Sequence, residues 1–238
     1  DCKNRDGCNF KGSVEQSLVQ IKNLLRTAET QTFENTDDSK RPVNVISIET
    51  GMMMALYDKQ YWQYLDTAFD DTLNAGDGTM FQRLADFYND RGDDGKYASN
   101  LNEAFMAISC LDGRSDSSEE AMKAQNAKLL EISPTLGRYW QWGALGCADW
   151  PVPEIGGLSD YSAKGAPVIV VIGNTGDPAT PYQQAVSLAH DILDKGFLIT
   201  LNGEGHTAYD HGHSCVDDVV NTFLLEGALP KSEPVCQP

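Results

Sequence analysis

The sequence has no long apolar run and little positive charge. Its 238 residues include 18 Lys and Arg against 35 Asp and Glu, which gives a formal net charge of −17. A surface this acidic repels nucleic-acid phosphates and anionic lipids, so we expect neither as a partner. No apolar segment approaches the roughly 20 residues that span a bilayer, and we predict no membrane span.

No two cysteines of the sequence have the CxxC spacing. Without that spacing a zinc site or a redox dithiol is less expected than disulfides, and six cysteines allow three of them. Local spacing favours Cys2–Cys8, Cys110–Cys147 and Cys215–Cys236 among about 15 pairings. Disulfides indicate an oxidising, secreted or cell-surface location. The alternative is a cytosolic protein with buried free thiols.

The first part of the chain has the periodicity of helices. Ser13 and Gln16 fit a capping box ahead of an apolar stripe with spacings of three and four residues. Two similar stripes follow within residues 61–92. The run GMMMALY at 51–57 is predicted to pack in the core rather than to form an adaptable binding surface. A Ser-Pro pair at Ser133 predicts a further helix start.

The pattern changes after a segment rich in proline and glycine at 147–165. APVIVVIG at 166–173 is typical of a strand buried on both faces of a parallel sheet, and FLITLNG at 197–203 predicts the next strand. Thr180 and Ser214 are predicted to cap the helices that follow each strand. This order predicts a right-handed βαβ unit that needs further strands to cover its edges.

Two polar residues lie at matching positions after these strands. Asp177 and His206 each follow the end of a strand by about five residues. Because the carboxyl ends of adjacent parallel strands meet at one edge of a sheet, we expect the two side chains to reach each other. An acid that orients an imidazole makes up two-thirds of a hydrolytic triad. The alternative is two ordinary loop residues, with Asp177 as a turn former.

Three of the four histidines lie within eight positions. We predict that His206 is a catalytic base, and that His211 and His213 are solvated loop residues near the disulfide of Cys215. A zinc site built from His211 and His213 with His206 or Asp210 is the rival interpretation. We expect neither a metal nor a cofactor.

The last part of the sequence resembles a known family. The runs PVIVVIGNTGDPATPYQQA, GEGHT and LPKSEPVC, all within residues 167–238, resemble the C-terminal region of secreted tripeptidyl aminopeptidases and related proteases of the α/β-hydrolase fold. The resemblance is looser over residues 1–150, where AISCLDG and CADWP are similar to the family's helical cap. It implies an α/β class with a partial α/β-hydrolase fold, in which 1–150 form the helical cap (lid) and 151–238 the last strands and helices of the core.

The same resemblance assigns two roles and exposes one omission. The aspartate of DPxTP and the histidine of GxGH are triad members in that family, and they correspond to Asp177 and His206. The family's serine lies in a GxSxG elbow that precedes both, and no GxSxG occurs in this sequence. GRSDS at 113–117 lacks the second glycine and a preceding strand. We therefore expect a C-terminal part of a longer enzyme, inactive without its N-terminal part.

These observations give a functional hypothesis with alternatives. We predict an exported serine aminopeptidase that releases short, tripeptidyl-type peptides from free N-termini. Glu204 is a candidate to bind the substrate ammonium, or else a plain surface residue. An esterase or lipase of the same fold is one alternative. A noncatalytic secreted binding module, with incidental Asp177 and His206, is the other.

Overall fold

The computed structural model describes residue 10, residues 12–156 and residues 160–238. These residues form two compact units. The helical unit comprises the described residues within Asp1–Met52 and Tyr64–Gly157, and the α/β unit those within Met53–Gln63 and Leu158–Pro238. The predicted pair Cys2–Cys8 lies outside the described residues. The assignment of 1–150 as a lid stays a prediction.

Helices account for most of the chain before residue 150. The capping box is confirmed, because the Ser13 hydroxyl accepts the Gln16 N–H at 3.3 Å and the Gln16 side chain accepts the Ser13 N–H at 2.8 Å. None of the helices in the described ranges is both long and apolar enough to cross a bilayer. The helices are α1 (Val14–Ala28), α2 (Val45–Leu56), α3 (Trp62–Ala75), α4 (Thr79–Tyr88), α5 (Leu101–Asp112) and α6 (Glu119–Ile132), with 3₁₀ turns at Lys59–Tyr61, Gly137–Trp140 and Gly143–Cys147.

The core of the helical unit is built around aromatic rings. Phe69 and Phe81 pack edge to face with ring centres 5.2 Å apart, and both are buried. Gly51 lets the backbones of α2 and α4 approach, since a β-carbon there would lie 2.6 Å from the Phe81 carbonyl oxygen. Met52 of this unit is buried, as is Met54, which belongs to the α/β unit, and this confirms core packing for the methionine run.

The predicted helix start at Ser133 is wrong. Ser133 instead follows the last residue of α6, and its hydroxyl accepts the Leu136 N–H at 3.2 Å in a turn. A serine hydroxyl accepts a nearby N–H equally well at a helix start and in a tight turn, so a Ser-Pro pair does not distinguish the two.

The α/β unit contains a three-stranded parallel sheet. Its strands are β1 (Ile169–Gly176), β2 (Gly196–Glu204) and β3 (Val235–Cys236), in the order β1-β2-β3. The two predicted strands and their parallel pairing are confirmed. β3 was not predicted, because two residues carry no periodicity.

Helices flank the sheet. α7 (Tyr182–Ser187) continues into a π-helical turn at Leu188–Ile192, and α8 (Ser214–Glu226) follows β2. In β2, Ile199 and Leu201 are buried in one apolar cluster with Val216 and Val220 of α8. Leu198 belongs to a second cluster with residues around α7. Alternate residues of β2 thus join different clusters, which explains its continuous apolar run.

Neither predicted N-cap of these helices is correct. Pro181 is the N-cap of α7, and the N–H and hydroxyl of Thr180 both donate to the carboxylate of Asp177. Ser214 is the first residue of α8, after His213 as N-cap, and no side chain caps this helix. An N-cap threonine accepts an N–H through its hydroxyl oxygen, whereas the Thr180 hydroxyl here donates to a charged acceptor.

Two disulfides have the predicted pairing. Cys110–Cys147 joins α5 to the 3₁₀ turn at Gly143–Cys147, and Cys215–Cys236 joins α8 to β3. Among the residues that the structure describes, each unit therefore has one covalent cross-link between segments distant in sequence.

Candidate active site

The candidate site lies where β1 and β2 end. The two strands pair in parallel from Ile169 opposite Gly196 to Gly176 opposite Glu204, with a register shift between Asn174 and Gly176. The loops after the strands therefore start at the same edge of the sheet. One loop carries Asp177 and the other His206.

The Asp177 carboxylate is almost fully buried, with its side chain 5% exposed. It accepts hydrogen bonds from the N–H groups of Ala179 and Thr180 at 2.8 and 2.9 Å, and from the Thr180 hydroxyl at 2.8 Å. Burial alone disfavours the charge, but these bonds and one from His206 outweigh it and lower the pKa of Asp177.

The structure brings Asp177 and His206 together. Nδ1 of His206 lies 3.1 and 3.0 Å from the two carboxylate oxygens of Asp177. The carboxylate only accepts, so Nδ1 donates and the proton of a neutral ring resides there. Nε2 has no hydrogen-bond partner within the described ranges, and the side chain is 28% exposed. The ring therefore presents an unprotonated nitrogen on an accessible side.

A segment from early in the chain supports the His206 loop. The His206 N–H donates to the Tyr57 carbonyl at 2.7 Å, and the two rings meet edge to face with centres 5.0 Å apart. Gly205 adopts φ +103°, and a β-carbon there would lie 3.1 Å from the Tyr57 oxygen. The second glycine of GxGH thus fits this position in two ways: it adopts the positive φ readily, and it has no β-carbon to crowd the Tyr57 oxygen.

Glu204 already has a partner. Its carboxylate lies 2.5 Å from Nζ of Lys59, and both side chains are about half exposed. This bond lowers the pKa of Glu204. Nζ of Lys59 also lies 5.5 Å from the centre of the Trp62 ring. Glu204 and Lys59 line a cleft of about 220 Å³ beside His206.

The other two histidines of the loop are not arranged around a metal. Nε2 of His211 lies 3.1 Å from the Thr207 hydroxyl, and both His211 and His213 line the cleft beside His206. Over the ranges that the structure describes, no three His, Cys, Asp or Glu side chains are grouped as a metal site requires.

Sequence reasoning missed three contributors to the site. Thr180 was interpreted as a helix cap, although a threonine three residues after an aspartate can donate both its N–H and its hydroxyl to that carboxylate. Tyr57 comes from a segment about 150 residues before His206 and has no local signal. Asn174 directly follows the apolar run at 166–173 and yet lies within β1, so the predicted strand ended one residue before it.

Comparisons with known proteins identify similar hydrolases. Residues 133–236 match the family described as TAP-like protein. Over 242 residues the chain is 35% identical to carboxylesterase B of Mycobacterium tuberculosis, covering 100% of the chain and 45% of the relative. It is 35% identical to serine protease Hip1 of the same organism over 190 residues, 78% of the chain and 36% of the relative.

A third relative is the tripeptidyl aminopeptidase of Streptomyces lividans, at 30% identity over 142 residues, 59% of the chain and 26% of the relative. The chain spans about half the length, or less, of the curated relatives it matches. The parallel strands and helices of the α/β unit are part of an α/β-hydrolase fold. The chain therefore contains, at residues 133–236, a match to the TAP-like family, within a partial α/β-hydrolase fold.

Proposed function

We propose that this chain carries the acid and the base of a serine hydrolase. His206 is the general base and Asp177 its orienting acid, while the nucleophilic serine lies in a part of the polypeptide outside these 238 residues. The observation that carries the proposal is the bond from Nδ1 of His206 to a buried, ionised Asp177, which leaves Nε2 accessible.

The chemistry follows from that tautomer. Nε2 takes the serine proton as the hydroxyl oxygen attacks the substrate carbonyl, and Asp177 stabilises the imidazolium that forms. The proton on Nε2 then passes to the leaving amine or alcohol, and an acyl-enzyme remains. Water then attacks the acyl carbon while Nε2 takes one of its protons, and Nε2 returns that proton to the departing serine oxygen, which releases the acid product and the free serine. The lowered pKa of Asp177 keeps it ionised throughout.

Peptides are the substrate class we favour. One relative is named a serine protease and another a tripeptidyl aminopeptidase. We propose release of short, tripeptidyl-type peptides from free N-termini, with Glu204 exchanging Lys59 for the substrate ammonium. Two disulfides support an extracytoplasmic location.

An ester substrate is the second candidate. The relative matched over the full chain is named a carboxylesterase. The ion pair of Glu204 with Lys59 also favours it, because a carboxylate already neutralised by lysine is less available to an ammonium. Both candidates use the same acid and base.

The first experiment tests hydrolase chemistry. A fluorophosphonate probe, which labels activated serines, is applied to the 238-residue chain and to a polypeptide extended upstream through a GxSxG motif. We expect labelling of the extended form alone, and its loss in His206→Ala. An upstream sequence without GxSxG, or labelling that His206→Ala leaves intact, would contradict the proposal.

The second experiment separates the substrates. The extended polypeptide is offered a tripeptidyl anilide with a free amino terminus, its N-acetylated form, and a simple p-nitrophenyl ester. We expect acetylation to reduce kcat/KM at least about tenfold, as expected when a charged contact is lost. Cleavage of the ester with both anilides untouched would establish the esterase instead.

A further inference from the structure

The side chain of Asn174 touches the backbone on both sides of His206. It is 2% exposed, and its Nδ2 donates to the Gly205 carbonyl at 2.9 Å and to the Thr207 carbonyl at 2.7 Å. A side-chain amide has two N–H groups, so each carbonyl receives one of them. Asn174 therefore connects the residues before and after His206, and we call this pair of hydrogen bonds the clamp.

The backbone of the same residue starts the loop that carries the acid. Asn174 pairs with Leu201 as the last regular position of β1, and its carbonyl accepts the Asp177 N–H at 3.4 Å. One residue thus connects the acid loop through its backbone and the base loop through its side chain.

The loop it holds is conformationally strained. Gly205 has φ +103° and Thr207, which is not a glycine, has φ +68°. A residue with a β-carbon in this region persists only when surrounding contacts hold it there. Within the described part of the chain, the hydrogen bonds to the backbone of residues 205–207 are the two from Asn174 and the one from the His206 N–H to the Tyr57 carbonyl.

We propose that Asn174 is a positioning residue that keeps Nδ1 of His206 directed at Asp177. Its own Oδ1 is buried and has no hydrogen-bond partner among the described residues. A buried acceptor without a partner costs free energy, which indicates that the residue is placed for its two donors. The link to catalysis rests on the proposed function, whereas the geometric role does not.

The main test is nitrogen NMR of histidine-labelled 238-residue chain. In the wild-type protein we expect the His206 proton to reside on Nδ1 and to exchange slowly with solvent. Asn174→Leu and Asn174→Asp both remove the donors at similar volume, and each should accelerate exchange of that proton at least about tenfold. If the proton on Nδ1 of His206 exchanges at the wild-type rate in either folded variant, the proposal is overturned.

A matched control exists in the helical unit. Asn35 is 3% exposed, and its Nδ2 donates to the Arg41 carbonyl at 2.9 Å. Asn35→Leu removes a comparable buried bond, so it should reduce Tm yet leave the His206 proton unaffected. Equal acceleration in Asn35→Leu would show that general loosening, not positioning, explains the result.

A second measurement needs no variant to fold. In the wild-type chain the Nδ2 protons of Asn174 should exchange at least about tenfold more slowly than those of the exposed Asn44. Equal rates would mean that the clamp is open in solution and would overturn the proposal.

Activity separates this role from the proposed function. In the extended polypeptide, Asn174→Leu should reduce kcat at least about tenfold with KM nearly unchanged, because a displaced base affects the chemical step. Faster His206 exchange combined with full activity would support the clamp while rejecting His206 as the base.

Discussion

Each unit contains a carboxyl group that is at least partly buried, and the two groups differ in the hydrogen-bond donors around them. In the α/β unit, Asp177 is almost fully buried, and four donor groups keep its pKa low. In the helical unit, Glu49 is partly buried with no hydrogen bond or ion pair among the described residues, and burial raises its pKa to about 7. Donors aimed at the group, more than burial itself, decide whether a carboxylate stays charged.

The partners differ as well. In the helical unit, Arg41 forms a bidentate bond with Asp86 at 2.8 and 2.7 Å, and Arg83 does the same with Asp37 at 2.6 and 2.8 Å. Arginine does not release its proton in proteins, so these two ion pairs have a structural role. The partner of Asp177 is an imidazole, which exchanges protons near neutral pH. Only that kind of pair suits acid-base catalysis.

The largest expected effect is on activity. In the extended polypeptide, His206→Ala should reduce kcat/KM by at least about 10⁴-fold, because the general base is lost. His213→Ala, in the same loop, should stay within about twofold. Steady-state kinetics with Tm as a folding control measures both. Similar losses of kcat/KM in the two variants would contradict the assignment of His206 as the general base.

Loss of the disulfides should have the next largest effect. The cross-links close loops of 37 and 21 residues, for which chain entropy predicts a stabilisation of about 4 and about 3 kcal/mol. Cys110→Ser with Cys147→Ser should therefore cost slightly more than Cys215→Ser with Cys236→Ser in urea unfolding. Two double variants as stable as the wild type would contradict this account.

Asp177→Asn should reduce stability by about 2 kcal/mol at pH 7, since it weakens charge-assisted bonds. The folded pKa of Asp177 lies below its ordinary value of about 3.9, so its contribution is present above that pH and is lost as pH falls through the folded value. The stability difference between Asp177→Asn and the wild type should therefore shrink as the pH falls below that ordinary value. A constant difference between pH 7 and pH 2 would refute the assignment.

Glu49→Gln should change stability in the opposite direction. The folded pKa of about 7 exceeds the unfolded value, so the wild type loses stability as pH rises between the two. With allowance for partial exposure, the glutamine variant should be more stable by about 1 kcal/mol above pH 8 and equal near pH 4. Thermal unfolding at the two pH values measures this. A variant less stable than the wild type at pH 8 would show an unrecognised partner.

The smallest expected effect concerns Glu204. In the extended polypeptide, Glu204→Gln should raise KM about threefold for a free-amine peptide and leave the N-acetylated peptide unaffected, since an exposed ion pair contributes little. Lys59→Met, which frees the carboxylate, should lower KM for the free amine. Equal effects of Glu204→Gln on both substrates would eliminate it as the ammonium ligand.

Much of the fold and the juxtaposition at the site could be predicted from the sequence. Apolar periodicity located α1, α3 and α4, and continuous apolar runs located β1 and β2. Parallel pairing of those strands then required Asp177 and His206 to emerge at one edge, and the structure places them in contact.

The remainder depends on contacts that leave no local pattern. β3 is too short to have a period, and Tyr57 reaches His206 from far earlier in the chain. Thr180 was misinterpreted because its N–H and hydroxyl donate to the Asp177 carboxylate, while Pro181 occupies the N-cap position of α7. The hydrogen bonds of Asn174 could not be predicted, because they depend on the positions of the two carbonyls beside His206 in the folded chain.

The most direct test of the acid-base pair is a double-variant cycle in the extended polypeptide. Asp177→Asn, His206→Ala and their combination are compared by kcat/KM on one substrate. If Asp177 acts through His206, the double variant should match His206→Ala within about threefold, because residues that act as a unit are not additive. Losses that multiply would show that the two residues act independently and would contradict the account.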